Sequence, residues 1–234
     1  MATISNSEIK QIRSLREKKF REELGLFTVE GEKMVAEALD SDFEVVKVYR
    51  SEELGEETMK RISSMTSPSP VVAVVRKPAP AEHNPGGLCL ALDSVRDPGN
   101  MGTILRIADW FGADCIFASP DSVEVYNPKA VQASMGAIFR KKLIYCDIAE
   151  KCREFRAAGL RVFGTFLDGS DIYASDLPRE GLIVMGNEAN GISRAVAAEC
   201  DGRLTIPSFG GGSESLNVSV ATAITISEFR RRWK

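Results

Sequence analysis

Three short segments of the sequence combine glycine with side chains that can bind or activate a ligand. In the first, residues 92–106, a Pro-Gly turn precedes Asn100, Gly102 and Arg106. Asn100 is a good helix cap, and Gly102 would allow a close backbone approach at the exposed amides of the helix N-terminus. The guanidinium of Arg106 can stabilise negative charge on oxygen. Taken alone, this spacing is more typical of a capped helix with a structural arginine.

The second and third segments each follow an apolar run. Residues 182–192 break from a strand pattern into Gly186 and Glu188, which suits either a ligand loop or a tight turn. Residues 204–221 place the loose glycine run 210–212 before a Ser-Leu-Asn helix start, whose amides are available to a ligand. The chain has no phosphate loop of the Gly-x-x-x-x-Gly-Lys-Ser/Thr type and no Gly-x-Gly-x-x-Gly after a strand. The sequence therefore gives little support to a nucleotide triphosphatase or an ordinary dinucleotide dehydrogenase.

The single histidine and the five cysteines point away from metal and histidine chemistry. His83 lies within residues 77–87, where three prolines and two glycines predict an exposed connection, so we expect a solvated loop residue. The cysteines are widely spaced, without a Cys-x-x-Cys pair, which predicts reduced structural thiols and no metal site. Histidine-dependent hydrolases, nucleases and metalloenzymes are poorly supported.

The second half of the chain alternates between strand and helix patterns. Strands are predicted at residues 88–92, 114–118, 142–146, 160–166, 182–186 and 204–207, and helices at 100–111, 128–135, 149–158, 192–199 and 217–232. Such alternation predicts an α/β fold with a mostly parallel sheet covered by helices on both faces. Ligands of these sheets bind outside the carboxyl ends of the strands, and all three segments lie where a strand ends.

The first half predicts a smaller α/β unit. An amphipathic helix is expected over residues 6–22, followed by strands at 26–29, 43–49 and 71–75 and helices at 32–39 and 56–65. We place a domain boundary at a linker, residues 79–87, between a domain of residues 1–78 and a domain of residues 88–234. The first helix carries a basic cluster, and the chain ends in the basic run 230–234. Each run suits either a phosphate-binding surface or a solvated face. The basic cluster consists of Lys10, Arg13, Arg16, Lys18, Lys19 and Arg21.

Jointly and in this order, the three segments resemble the three motifs of the SpoU/TrmH RNA methyltransferases of the SPOUT superfamily. The resemblance covers nearly all of residues 88–234, and residues 132–137 are similar to a further family segment. Residues 1–80, including Phe27–Gly31, resemble the L30e-like substrate-binding domain of several ribosomal members. The resemblance implies an S-adenosylmethionine-dependent RNA 2'-O-ribose methyltransferase. It also implies a C-terminal trefoil knot, although general rules favour unknotted chains.

The resemblance also assigns residues to the site. Bound S-adenosylmethionine is expected to meet mainly backbone groups, at Gly186, Glu188, Ile206, Leu216 and Asn217. The catalytic set implied is Arg106 with Asn100, Glu188, Ser215 and Asn217 around it. Because a guanidinium stays protonated, we expect Arg106 to stabilise the developing alkoxide while a neighbour or water takes the proton. Ser208 stands where the family commonly has methionine, which predicts a looser adenosine end of the pocket.

RNA is the expected partner, contacted by Arg13, Lys18 and Lys19, with ribosomal RNA favoured over transfer RNA because of the extra domain. A net charge of −3 argues mildly against binding by bulk electrostatics alone. A homodimer is expected through the catalytic domain, with the apolar final helix serving both core and interface. No DNA or membrane partner is expected, and the lack of a long apolar run or signal-peptide core predicts a cytoplasmic protein. The alternatives are a non-catalytic RNA-binding homologue and a methyltransferase acting on a base.

Overall fold

The computed structural model describes residues 4–210 and 214–233, which form two sheets. The first sheet is antiparallel, with strand order β1-β3-β2. Its elements are α1 (Asn6–Ser14), α2 (Lys18–Leu24), β1 (Leu26–Glu30), α3 (Glu32–Leu39), β2 (Val45–Arg50), α4 (Ser51–Leu54), α5 (Glu56–Ile62) and β3 (Val71–Arg76). Alternate residues of β3 face opposite sides, so Val72 and Val74 pack under α1 whereas Val71, Ala73 and Val75 pack under α3.

The single helix predicted over residues 6–22 is wrong, because the chain breaks between α1 and α2. Glu17 is extended (ψ 134°) and begins α2 without a side-chain cap. The apolar spacing hid this break, since Ile9, Ile12 and Leu15 keep a helical period up to it. The freed carbonyls of Leu15 and Arg16 each accept a hydrogen bond of 2.8 Å from Nη1 of Arg21. Arg21 is only 2% exposed, so its predicted place on the basic surface is also wrong.

The second sheet has six parallel strands in the order β6-β5-β4-β8-β7-β9, which confirms the predicted α/β architecture. Its elements are β4 (Leu88–Leu92), α6 (Pro98–Trp110), β5 (Ile116–Ala118), α7 (Pro128–Ser134), β6 (Leu143–Tyr145), α8 (Ile148–Ala157), β7 (Val162–Asp171), β8 (Gly181–Met185), α9 (Arg194–Ala197), β9 (Gly202–Thr205) and α10 (Val218–Arg231). Buried side chains of α6, α7 and α10 pack on one face of this sheet, and those of α8 and α9 pack on the other.

One strand and one helix differ most from their predicted lengths. Strand β7 extends to Asp171, because after an irregularity between Thr165 and Ser170 it pairs a second time with β9. Helix α9 spans only four residues, half of its predicted range. The predicted knot depends on the path of the chain from β9 to α10. Residues 211–213 of that path, which include most of the glycine run 210–212, lie outside the described residues.

Helices α6 and α10 lie side by side and run parallel. The side chains of Asn100 and Asn217 join their N-terminal ends through a hydrogen bond of 2.9 Å. At the other end Nε of Arg230 donates to the carbonyl of Phe111 at 2.9 Å. This pairing orients both helix N-termini towards the same region of the carboxyl edge of the sheet.

The histidine and the cysteines occupy one region of the core. All five thiols belong to, or pack against, the layer between the sheet and helices α8 and α9. His83 is half-buried, with its ring centroid 6.0 Å from that of Phe117 and its Nε2 3.5 Å from Sγ of Cys89. The prediction of a solvated loop residue is therefore wrong. Among the described residues no cluster of metal-ligating side chains is present, and no helix there is long and apolar enough to cross a membrane.

Candidate active site

Three loops converge at the carboxyl edge of the parallel sheet. Residues 93–97 follow β4, residues 186–193 follow the neighbouring strand β8, and residues 206–217 lead from β9 to α10. They are the loops of the three segments that the sequence singled out. The topology therefore brings together side chains that lie more than a hundred residues apart in sequence.

A series of hydrogen bonds connects one side chain from each loop region. Nδ2 of Asn217 donates to Oδ1 of Asn100 at 2.9 Å, and Nδ2 of Asn100 donates to Oε1 of Glu188 at 2.9 Å. Oδ1 of Asn217 accepts from the backbone amide of Ser219 at 2.9 Å, which caps α10. Each amide donates in one direction and accepts in the other, so the series ends on a carboxylate that only accepts.

Asn100 is free to take part because another residue caps its helix. Oδ1 of Asp97 accepts from the backbone amide of Asn100 at 2.7 Å, and Pro98 occupies the first helical position. The prediction of Asn100 as the helix cap is therefore wrong. Its side chain, one turn inside the helix, points towards the loops after β8 and β9.

Two residues that the sequence reasoning missed hold the loops together. Nδ2 of Asn187 donates to the carbonyl of Ser94 at 2.7 Å, while its Oδ1 accepts from the backbone amides of Ala189 and Asn190 at 3.0 and 3.1 Å. Buried Asp93 accepts from the backbone amide of Ser193 at 2.7 Å. The sequence contained a signal for each residue. Asp93 is an acid directly after an apolar strand, and Asn187 is an asparagine before a turn.

The two glycines singled out by the sequence pack against protein. A Cβ on Gly102 would lie 2.3 Å from the carbonyl oxygen of Ala130 and 2.6 Å from Cβ of Ala133, so Gly102 lets α6 approach α7. The predicted close backbone approach at Gly102 is therefore present, and its partner is helix α7. A Cβ on Gly186 would lie 2.3 Å from the carbonyl carbon of Gly191, because the loop after β8 folds back on itself there. That contact leaves the predicted cofactor contact at Gly186 untested.

Arg106 and Ser215 do not join the hydrogen-bonded series. Arg106 is exposed, and within the described part of the chain its guanidinium has no hydrogen-bond or ion-pair partner. It lies roughly 9 Å along the helix from Asn100 and about 120° around it. Ser215 is exposed beside the residues that are not described, with no described side-chain hydrogen bond. Their catalytic assignment stays a prediction.

Apolar side chains are exposed around the same edge, where the predicted cofactor residues lie. Leu216 is 49% exposed and Ile206 is half-buried, while Leu167 after the regular part of β7 is 76% exposed and Phe209 is 95% exposed. A ligand bound at this edge would remove these apolar groups from water. The loops also offer backbone amides and the Glu188 carboxylate. An adenosine group with a charged amino-acid tail fits this mixture of apolar cover and polar contacts.

The predicted RNA-binding residues lie at the surface, but they are less uniformly basic than expected. Arg13, Lys18 and Lys19 are exposed, and Lys18 is 3.6 Å from the carboxylate of Glu22, one turn away. The arginines near the C-terminus make internal contacts, since Arg231 and Arg232 both bind the buried carboxylate of Glu228. Because of these ion pairs, the basic run 230–234 is less suited to bind phosphate than the sequence suggested. Lys234 lies outside the described residues.

Comparison with protein families gives two matches that divide the chain. The SpoU rRNA Methylase family matches residues 87–227, and the MRM3-like substrate binding domain matches residues 6–77. The 23S rRNA (guanosine(2553)-2'-O)-methyltransferase RlmP of Bacillus subtilis is 29% identical, over 96% of each chain. The 23S rRNA (guanosine-2'-O-)-methyltransferase RlmB of Neisseria meningitidis is 37% identical, but only 62% of this chain and 58% of that relative align.

Solved structures resemble the whole chain. A TrmH-family protein from Porphyromonas gingivalis has a TM-score of 0.91 and 42% identity, covering 99% of this chain and 100% of its own. An AdoMet-bound rRNA methyltransferase from Sinorhizobium meliloti has a TM-score of 0.89 and 30% identity, covering 100% of this chain and 98% of its own. Both similarities extend over the two sheets together.

Proposed function

The chain belongs to the SpoU rRNA methylase family, and on that premise we propose that it transfers a methyl group from S-adenosylmethionine to a ribose 2'-hydroxyl of ribosomal RNA. The observation that carries the proposal is the series Asn217–Asn100–Glu188. It joins the three loops of the family motifs at the carboxyl edge of the parallel sheet. Ligands of parallel α/β sheets bind at that edge.

The loops after β8 and β9 are the proposed binding site for S-adenosylmethionine, which supplies an electrophilic methyl group. Gly186, Ile206 and Leu216 would contact the nucleoside, and Glu188 and Asn217 the polar parts. The exposed apolar side chains at this edge support the assignment, because an adenosine group would remove them from water. The absence of methionine at Ser208 leaves one apolar contact fewer than the family pattern provides.

The reaction asks the protein to align a hydroxyl and to stabilise the charge that develops on its oxygen. Alignment alone can contribute several kcal/mol. We assign the charge stabilisation to Arg106, whose guanidinium has no partner among the described residues and is therefore available to the ribose. Asn100 and Ser215 are assigned to the same reaction as hydrogen-bonding groups. A neighbouring group or water takes the proton.

The proposed domains are residues 1–78, which bind RNA, and residues 88–234, which bind the cofactor and carry out the transfer, joined by residues 79–87. We also propose the family's trefoil knot for the catalytic domain. Ribosomal RNA is favoured over transfer RNA, since the N-terminal match is to a substrate binding domain and the relative aligned over nearly its whole length is named for 23S rRNA. The proposed place of action is the cytoplasm.

A homodimer is the proposed assembly. The final helix leaves Val220 47% exposed and Ala223 and Ile224 half-buried, whereas Val218, Ile226 and Phe229 are buried in the core. A second copy would cover the exposed part of this helix. Sedimentation at micromolar concentration is expected to give twice the mass of one chain, and a monomer there would remove the dimer.

The proposed function is tested by incubating the protein with labelled S-adenosylmethionine and separate pools of unmodified ribosomal and transfer RNA. Label in ribosomal RNA only is the expected result. Label in transfer RNA only would replace the proposed substrate by the alternative one. No label in either pool, with cofactor binding measured separately, would favour a non-catalytic RNA-binding protein.

A further inference from the structure

A buried ion pair fixes the N-terminal domain on the catalytic domain. Nε of Arg21 in α2 donates to Oε2 of Glu124 at 2.8 Å, with the two side chains 2% and 8% exposed. The other carboxylate oxygen, Oε1 of Glu124, accepts from Nζ of Lys77 at 3.1 Å. Because Arg21 also binds the carbonyls freed at the helix break, most of its donors are satisfied. Buried charges of this kind require fixed geometry.

Further contacts between the two domains surround this pair. The rings of Phe27 and Tyr126 lie 4.7 Å apart between centroids, and those of Phe43 and Phe139 lie 5.2 Å apart. These aromatic contacts belong to the same hydrophobic cluster as the catalytic core. The two domains therefore pack as one body, and the linker does not act as a flexible tether.

Glu124 lies at the same edge of the parallel sheet as the candidate active site. It belongs to the loop that follows β5, and β5 is the neighbour of β4 in the sheet. This loop is hydrogen-bonded to the loop after β4, since Oγ of Ser119 accepts from the amide of Ser94 at 2.8 Å and Oγ of Ser122 accepts from that of Val95 at 3.1 Å. The ion pair thus places α2, with Lys18 and Lys19, beside the carboxyl edge.

Arg96 belongs to the loop after β4, which is hydrogen-bonded to the loop that carries Glu124. It follows Val95 in the loop after β4, four residues before Asn100, and its side chain is 68% exposed. Nη2 of Arg96 donates a long hydrogen bond of 3.4 Å to Oδ2 of Asp121, with which it forms an ion pair. This ion pair is exposed and long, and the rest of the guanidinium has no partner among the described residues, so an anionic ligand can still bind Arg96.

We propose that Lys18, Lys19 and Arg96 form one phosphate-binding track that leads the RNA backbone from the N-terminal domain into the active site. Arg21 and Glu124 are positioning residues in this proposal, because their ion pair keeps helix α2 at a fixed distance from the loop that carries Arg96. The proposal rests on the proposed function, since it takes RNA as the substrate. A fixed track of this kind sets the distance between the RNA element bound by α2 and the nucleotide that is methylated. Backbone contacts position RNA without reading its sequence.

The opposite edge of the sheet offers matched controls. Arg161 immediately precedes β7 and is exposed, and Arg156 nearby pairs with Glu199 and Asp201 at 3.0 and 3.1 Å. These residues line an open depression of about 570 Å³ at the amino ends of the strands. Arginine is therefore present at both edges, whereas the proposed track includes arginine at the carboxyl edge alone.

The test compares Arg96→Gln with Arg161→Gln in binding to unmodified ribosomal RNA over a range of salt concentrations. Removing one phosphate contact is expected to lower the salt slope of log affinity by about one and to weaken binding about threefold or more. Arg161→Gln is expected to match the unsubstituted protein, and both variants are expected to keep its affinity for S-adenosylmethionine. Equal RNA affinity and slope in the two variants would overturn the track.

The positioning residues are tested with a double-mutant cycle. In the otherwise unsubstituted chain, Lys18→Gln with Lys19→Gln is expected to raise KM for ribosomal RNA and leave kcat unchanged. In the Glu124→Gln variant, the two lysine substitutions are expected to raise KM less, because α2 is no longer held at a fixed position relative to the active site. Full additivity would overturn the positioning role. If the unsubstituted protein binds this RNA but transfers no methyl group, the proposed function fails. The effect of Arg96→Gln on RNA affinity and its salt dependence would still test the track.

Discussion

The side-chain amide of Asn100 bridges Glu188 and Asn217, with both hydrogen bonds at 2.9 Å. Asn100 and Asn217 lie at the N-terminal ends of the parallel helices α6 and α10. Glu188 is hydrogen-bonded to Asn100 in the first turn of α6, so the partial positive charge of that helix end favours its carboxylate. This arrangement fixes the position of a carboxylate in a site where a methyl group and a hydroxyl must be aligned.

Replacing Asn100 by aspartate tests this bridge. Aspartate has nearly the same size but removes the donor to Glu188 and places a second carboxylate against it. We expect kcat/KM for methyl transfer to fall at least about 100-fold, because two like charges at hydrogen-bond distance force the loops apart. Asn127→Asp is the matched control, since Asn127 caps α7 through its side-chain oxygen and aspartate caps equally well. Equal activity of the two variants would contradict the bridge.

Arg106→Lys separates binding from chemistry. Lysine keeps the positive charge but lacks the planar fork of donors that can hold an alkoxide. We expect methyl transfer to fall by about 100-fold, while the dissociation constant for S-adenosylmethionine stays unchanged. Calorimetry measures the second quantity and single-turnover transfer the first. Unchanged turnover in this variant would show that Arg106 is structural.

Breaking the buried ion pair is expected to destabilise the protein. Glu124→Ala leaves the guanidinium of Arg21 buried without its partner, and we expect the free energy of unfolding to fall by about 3 kcal/mol. Glu44→Ala removes an ion pair of similar length, 2.7 Å to Arg76, at an exposed position. Urea denaturation of this control should give an unchanged midpoint. An equal, small effect in both variants would mean that the interdomain pair contributes little.

Four of the five cysteines are expected to resist alkylation in the folded protein. Burial raises the pKa of Cys89 and Cys152 to about 12 and that of Cys115 and Cys200 to about 11. Only the thiolate reacts, and at pH 8 these four thiols are almost wholly protonated. Iodoacetamide should therefore label them only after denaturation, as read by mass spectrometry. Rapid labelling of Cys89 in the native protein would contradict this packing.

The sequence predicted the second sheet and the position of the three loops at its carboxyl edge, because both depend on local patterns. Apolar runs of five residues such as 88–92 are typical of buried parallel strands, and the glycine-rich and polar loops after them locate the carboxyl edge. The predicted bounds of β4 and α3 match the structure. The motifs then identified the family, although each segment alone also suited a turn or a capped helix.

The sequence could not show which long-range partners a residue finds. Arg21 follows three other basic residues within five positions, and nothing local distinguishes the buried guanidinium from the solvated ones. Gly102 gave the same signal as a ligand-binding glycine, although it serves a contact with a helix about thirty residues away. Asn187 shows the same limit, because its side chain donates a hydrogen bond to the carbonyl of Ser94, and only the order of the strands brings these two residues together.

The most direct test of the proposed reaction is where the transferred methyl group resides. Ribosomal RNA labelled by the protein from S-adenosylmethionine is hydrolysed completely in alkali, which requires a free 2'-hydroxyl at each cleaved linkage. Ribose methylation blocks one cleavage, so the label is predicted to remain in an alkali-resistant dinucleotide. Label recovered in mononucleotides would mean that a base was methylated and would contradict the proposed 2'-O transfer.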